Sequence, residues 1–191
     1  MTHVLLIHHI QGLTPGVVAL ADALRAAGHE VHTPDLFDGR TFGAIDDGFA
    51  YARSVGFDAV RAPALAAADG LPPGFVVAGI SFGVMAALQV ATNQPGIAGA
   101  LLYESFADPA EFGTWPDGLS AQVHGMDADP FFALEGDLEA ARAFAADHEA
   151  VEVFTYPGGE HLFVDSSLPS YDEGATRLVV ERSLDLLGRL S

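Results

Sequence analysis

The segment Phe75-Val-Val-Ala-Gly79-Ile-Ser81-Phe-Gly83-Val-Met-Ala-Ala carries a Gly-x-Ser-x-Gly pattern where an apolar, β-like run gives way to a helix-like one. A serine raised above a sheet on a tight strand-to-helix turn can attack a carbonyl carbon, and its flanking glycines leave room for that turn. The hydroxyl is inert without a base. In hydrolases of this type the chain order is nucleophile, acid, histidine, and only His124, His148 and His161 follow Ser81. His124 falls inside a predicted strand and His148 at a helix end. His161, in Tyr156-Pro-Gly-Gly-Glu-His161-Leu-Phe, lies just past the last predicted strand, in a loop able to reach back to Ser81. The carboxylate that orients the imidazole should follow the fifth strand. There Asp129, ahead of Pro130, is preferred; Asp127 is read as a turn residue, and Glu104, after the fourth strand, is a further candidate. An oxyanion also needs donors. The backbone N–H of Phe82, at a helix start, and that of Ile10, in the loop His8-His-Ile-Gln-Gly-Leu13, are the expected pair.

These groups need a scaffold that brings strand ends together. Six short apolar or β-branched runs, 4–8, 30–33, 75–80, 98–103, 121–126 and 151–156, read as strands. Helix-like stretches separate them. Residues 15–27 have Thr14 as a cap, Pro15 in the first turn and Gly28 past the end. Residues 82–93 are apolar nearly all round, 138–146 form another helix, and Ser170 with Glu173 has capping-box spacing ahead of a C-terminal one. Residues 34–70 read as loop plus one or two helices, and 104–120 as a loop over a cleft. The alternation predicts an α/β three-layer sandwich around a mostly parallel sheet of about six strands, in one domain spanning 1–191. Ligands of such sheets bind beyond the carboxyl ends of the strands, which is where the candidate residues fall.

Composition narrows the classes further. The 191 residues include 8 Arg, no Lys, no Cys and 26 acids, for a net charge of −18, and residues 104–191 hold 18 of the acids. Nucleic acid and anionic membrane surfaces are disfavoured as partners. The absence of Cys removes thiolate nucleophiles and disulfides. With no long apolar run and no signal segment, a cytoplasmic protein is expected. His8 and His9 are adjacent on a strand and point to opposite faces, so no metal site is expected from them; His3, His29 and His32 have no partner spacing and count as structural.

Taken in order, His8–Leu13, the run Ala26-Ala-Gly-His-Glu-Val-His-Thr-Pro-Asp35-Leu-Phe, the elbow around Ser81, Asp129-Pro and the segment around His161 resemble the dienelactone hydrolase family of α/β-hydrolases over nearly the whole chain. The resemblance implies a triad of Ser81, Asp129 and His161, oxyanion donors at Ile10 and Phe82, and no cofactor. It also implies that the family's N-terminal hairpin is lacking, and no stretch is long enough for a lid domain. The family's namesakes use a Cys nucleophile, where this chain has Ser81, and a first-strand Glu, where it has His9. They also place an Arg four residues beyond the catalytic His to bind a substrate carboxylate, and Asp165 stands at that position. Asp165 is therefore expected to repel carboxylate-bearing substrates. His9, Phe106 and Trp115 are expected to border the substrate pocket, with Phe131 and Phe132 as further apolar walls. The expected activity is hydrolysis of a carboxylic ester, lactone or related acyl bond of a neutral small molecule, by a monomer or homodimer. A thioesterase or acyltransferase, or a catalytically silent binding protein of the same fold, are the alternatives.

Overall fold

A computed structural model describes residues 1–191. Its strands are β1 (His3–Ile7), β2 (Glu30–His32), β3 (Val76–Ile80), β4 (Gly99–Tyr103), β5 (Ser120–Met126) and β6 (Val151–Tyr156). They form one sheet in the order β2-β1-β3-β4-β5-β6, and every neighbouring pair is parallel. The helices are α1 (Pro15–Ala26), α2 (Ile45–Val55), α3 (Phe57–Asp69), α4 (Gly83–Asn93), α5 (Asp137–Asp147) and α6 (Glu173–Arg189). Each strand predicted from the sequence is present, with ends displaced by one residue at most.

Two apolar layers sandwich the sheet. Leu5, Ile7, Val77, Leu102 and Val123 face α2 to α5, whereas Val4, Leu6, Ala78, Ile80 and Leu101 face α1 and α6. Alternation along β1 thus fills both cores, and β3 and β4 are buried on both faces, which is why they read as continuous apolar runs rather than alternating ones. Each fully buried Leu, Ile or Val contributes about 1.5–3 kcal/mol of transfer free energy.

Local chemistry sets the helix ends. The Thr14 side chain accepts the Val17 amide at 3.2 Å and Pro15 occupies the first turn of α1. At α6 the cap is Asp172, which accepts the Ala175 amide at 2.8 Å; Ser170, read from sequence as the cap, instead reaches back to the Leu162 carbonyl. Ser and Asp both suit a cap, and Asp172 is the one adjacent to the first helical turn.

In this strand order the chain leaves β1 for β2 on one side and returns to β3 on the other. The crevice beyond the ends of β1 and β3 is a topological switch point. The loop after β1 and the turn after β3 both open into it.

Candidate active site

Ser81 stands at the end of β3 with φ +48°, a left-handed conformation that costs a non-glycine residue on the order of 1–3 kcal/mol. The turn is fixed on both sides: the Ser81 amide donates to the Tyr103 carbonyl at 2.7 Å and the Ser81 carbonyl accepts from Val84 at 2.8 Å. A Cβ on Gly79 would come within 2.6 Å of the Gly83 carbonyl oxygen, and one on Gly83 within 2.5 Å of the Ile7 carbonyl oxygen. Strand, turn and helix therefore pack at backbone contact. That close approach sets Ser81 above the sheet.

The Ser81 hydroxyl lies 2.8 Å from His161 Nε2, and His161 Nδ1 lies 2.7 Å from Asp129 Oδ2. Asp129 is fully buried, and its other oxygen accepts the amides of Phe131 at 2.8 Å and Phe132 at 3.3 Å. With both oxygens occupied, the carboxylate has one orientation and His161 Nδ1 is the protonated nitrogen. Asp127 is exposed and accepts the Gly158 amide at 3.1 Å, holding the loop that leads to His161 rather than touching the ring.

Glu104 lies close by without joining this chain. It ends β4 at φ +62°, is fully buried, and accepts the Val164 amide at 3.1 Å through Oε1, while Oε2 has no partner. Burial pushes its carboxyl up to about 7, against the opposing pull of His161 and the Val164 amide. For His161, burial disfavours the imidazolium, but the hydrogen bond to Asp129 and the negative charges of Glu104, Asp129 and Asp137 outweigh it, leaving the pKa above the usual histidine value.

The residues that carry the oxyanion candidates also lie at the cleft. Ile10 and Phe82 line the same cleft of about 230 Å³ as Ser81 and His161, and neither backbone N–H donates to another protein group. Phe82 immediately precedes α4, whose N-terminal dipole favours negative charge there. Beside Glu104, the remaining walls are Ile45 and Phe49 from α2, Met85, Ser105, Phe131, Glu135 and Asp137. The Phe131 ring centre is 4.6 Å from that of His161.

Four residues expected at the pocket lie elsewhere. Phe106 is a core residue packed on Phe144, and Trp115 meets Phe144 edge-on away from the cleft. Both belong to the loop expected to cover the cleft, and that loop packs over α4 and α5 instead. His9 is fully buried. Its Nδ1 accepts the Gln11 amide at 3.1 Å, so its Nε2–H donates to Asp165 Oδ2 at 2.7 Å. Phe132 is core, and Phe131 is the aromatic wall of that pair.

Asp165 is likewise fully buried and cannot meet a substrate. Besides His9 it accepts Thr14 Oγ1, the Ser167 amide at 2.8 Å and Ser167 Oγ at 2.6 Å. Burial alone would raise its pKa, but the bonds from His9, Ser167 and Thr14 prevail and hold it near 2. The two positions of departure, 9 and 165, thus touch each other in this chain: a base and an acid in contact, with the acid on the later loop. The pair ties the segment carrying Ile10 to the segment carrying His161. Asp165→Ala would leave the His9, Thr14 and Ser167 donors unpaired in a dry site, and an unfolding free energy lower by about 3 kcal/mol is expected from urea denaturation.

The dienelactone hydrolase family matches the sequence over residues 1–191. This chain belongs to that family. No curated protein matches it. Among solved structures, a Klebsiella pneumoniae subsp. pneumoniae protein named as a candidate dienelactone hydrolase superposes with a TM-score of 0.78 at 17% identity, covering 98% of this chain and 87% of that one. The dienelactone hydrolase-like promiscuous phosphotriesterase P91 from metagenomic libraries has a TM-score of 0.74 at 18% identity, with 100% and 87% covered. A Xanthomonas campestris pv. campestris protein named as a candidate hydrolase of the α/β superfamily has a TM-score of 0.67 at 20% identity, with 97% and 99% covered. The fold is that of the α/β-hydrolases, and membership of this family makes the protein a hydrolase. No helix is long and apolar enough to cross a membrane.

Sequence reasoning missed Ile45, Phe49, Met85, Glu135 and Asp137. The first two come from a helix whose spacing to the elbow nothing local encodes. Asp137 carried a readable signal as an acid in the first turn of α5, where it accepts Ser105 Oγ at 2.8 Å and the Phe106 amide at 2.9 Å.

Proposed function

We propose that this protein is a serine hydrolase that cleaves a carboxylic ester, lactone or related acyl bond of a neutral small molecule through an acyl-enzyme. The observation that carries the reading is the chain Ser81–His161–Asp129, with distances of 2.8 and 2.7 Å, in a cleft also lined by Ile10 and Phe82, whose backbone N–H groups have no protein partner. Ser81 Oγ attacks the carbonyl carbon as His161 Nε2 takes its proton, and the Ile10 and Phe82 amides receive the oxyanion. His161 then returns the proton to the departing alkoxide. Water, deprotonated by His161, releases the acyl group and regenerates Ser81. The residues present need no metal or other cofactor for these steps.

Neutral substrates are favoured by the cleft, whose charged lining consists of Glu104, Glu135, Asp137 and the triad histidine, with no Arg. This replaces Asp165 as the reason for disfavouring carboxylates. P91 is named a promiscuous phosphotriesterase; a neutral phosphotriester meets the same charge requirement and belongs in the substrate panel. The expected result is stoichiometric labelling of Ser81 by a fluorophosphonate, with peptide mass mapping to the site, and higher kcat/KM for neutral esters than for carboxylate-bearing esters of equal size. Folded protein that neither labels nor turns over any ester would establish the silent alternative. A preference for carboxylate esters would overturn the charge argument while leaving the triad intact.

A further inference from the structure

His3 and His32 are 29 residues apart, and no sequence spacing links them. The parallel register of β1 and β2 does: His3 pairs with Glu30, and His32, two residues on, lies on the same face of the sheet as Glu30. His3 Nδ1 is 3.2 Å from His32 Nε2 and 3.5 Å from Glu30 Oε2, and His32 Nε2 is 3.5 Å from Glu30 Oε1. A tetrahedral ion with ligand bonds near 2.1 Å places its ligand atoms about 3.4 Å apart. The three side chains already hold that spacing.

We propose that His3, Glu30 and His32 bind a zinc-like divalent transition-metal ion at the open edge of the sheet. Two imidazoles and one carboxylate suit such an ion and are a poor set for magnesium or calcium, which take oxygen ligands. The backbones are held in a ladder and the three side chains already touch one another, so binding has only side-chain adjustments to order. His3, Glu30 and His32 have side-chain exposures of 25%, 53% and 35%, which leaves the fourth position to water. In the metal-free protein a single proton bridges the two facing ring nitrogens. Binding moves it to the far nitrogen of its own ring, and the rings pivot so that both lone pairs converge on the ion. The three charges and dipoles thereby replace a hydrogen bond with a cross-link between β1 and an edge strand only three residues long.

The cluster lies at the start of β1, whereas the oxyanion loop follows its end, about 13 Å further along the strand. The ion is therefore structural, not part of the acyl-transfer site. Calorimetric titration of the intact protein with zinc sulfate, after treatment with a chelator, should give one site per chain. At a hundredfold excess over Kd the melting temperature should rise by about 5–10 °C. His3→Ala and His32→Ala should lose both signals, Glu30→Gln should weaken binding at least about tenfold, and His29→Ala and His148→Ala should behave as the parent. Melting curves without metal show whether each variant is folded. Glu30→Gln, which alters only a partly exposed side chain, keeps the test available if a histidine variant is not. Absence of saturable one-to-one binding, or equal affinity in the His3, His32 and Glu30 variants, would overturn the assignment.

Discussion

Ser81→Ala is expected to lower kcat on a short p-nitrophenyl ester by on the order of a millionfold, with little change in KM. The hydroxyl is the one nucleophile in the cleft with a base beside it: His161 Nε2 contacts it, Ser105 Oγ donates to Asp137 instead, and the chain has no Cys. Without Oγ, His161 can at best activate water, and the Ile10 and Phe82 amides still bind the oxyanion, so a residue of catalysis on the order of a thousandfold over water should persist. His161→Ala should cost a similar amount, and the double variant little more, since the two side chains act as one unit. The elbow conformation itself is set by backbone packing of Gly79 and Gly83, not by the serine side chain. Ser81→Ala should accordingly melt close to the parent. Equal rates for parent and variant, measured with stopped-flow absorbance of p-nitrophenolate, would remove Ser81 from the mechanism.

The strands and the contact chain Ser81–His161–Asp129 were legible in the sequence for the same physical reason. In a parallel sheet each buried strand is a short apolar run, and the chemistry follows the run within a few residues. Ser81, Asp129 and His161 all obey that rule, and Asp129 stands apart from Asp127 because Pro130 marks the exit from β5. What failed was everything that depends on which way a loop turns. Trp115, between Gly113 and Pro116, looked like a cleft wall, but its ring finds Phe144 on α5. His9 looked like a cleft residue because alternation assigns faces only within a strand, and β1 ends at Ile7. Its partner Asp165 is 156 residues away, and nothing local in either segment marks the contact. The cluster of His3, Glu30 and His32 was hidden likewise, since register between strands is a tertiary fact. Glu104 is an intermediate case: its position after β4 marked it for chemistry, but only the geometry separates a carboxylate beside the triad from one within it.

That separation leads to opposite expectations for two amide substitutions. In Asp129→Asn the side-chain oxygen is retained by the Phe131 and Phe132 amides, both donors, so the NH2 group must face His161 Nδ1. Nδ1 is then forced to accept, the ring proton moves to Nε2, and Nε2 can no longer take the proton of Ser81. A loss in kcat of about ten-thousandfold is expected from the wrong tautomer alone. In Glu104→Gln the oxygen still accepts the Val164 amide and the ring tautomer is untouched, so kcat at high pH should stay within about tenfold of the parent. The effect there is on pH dependence. His161 must be neutral to act as a base, so activity falls as pH drops through its pKa, which the surrounding acids hold above 6.5. Glu104, pushed up to about 7, is charged over the upper part of that limb; removing this charge makes the imidazolium less favourable there and shifts the acid limb of kcat/KM to lower pH. The unpaired Oε2 of Glu104 is consistent with a group that acts through its charge on His161 and not through a hydrogen bond to it. Should Glu104→Gln be the crippled variant and Asp129→Asn the mild one, the orienting acid would be Glu104, and the 2.7 Å contact to Asp129 would serve only to hold the loop.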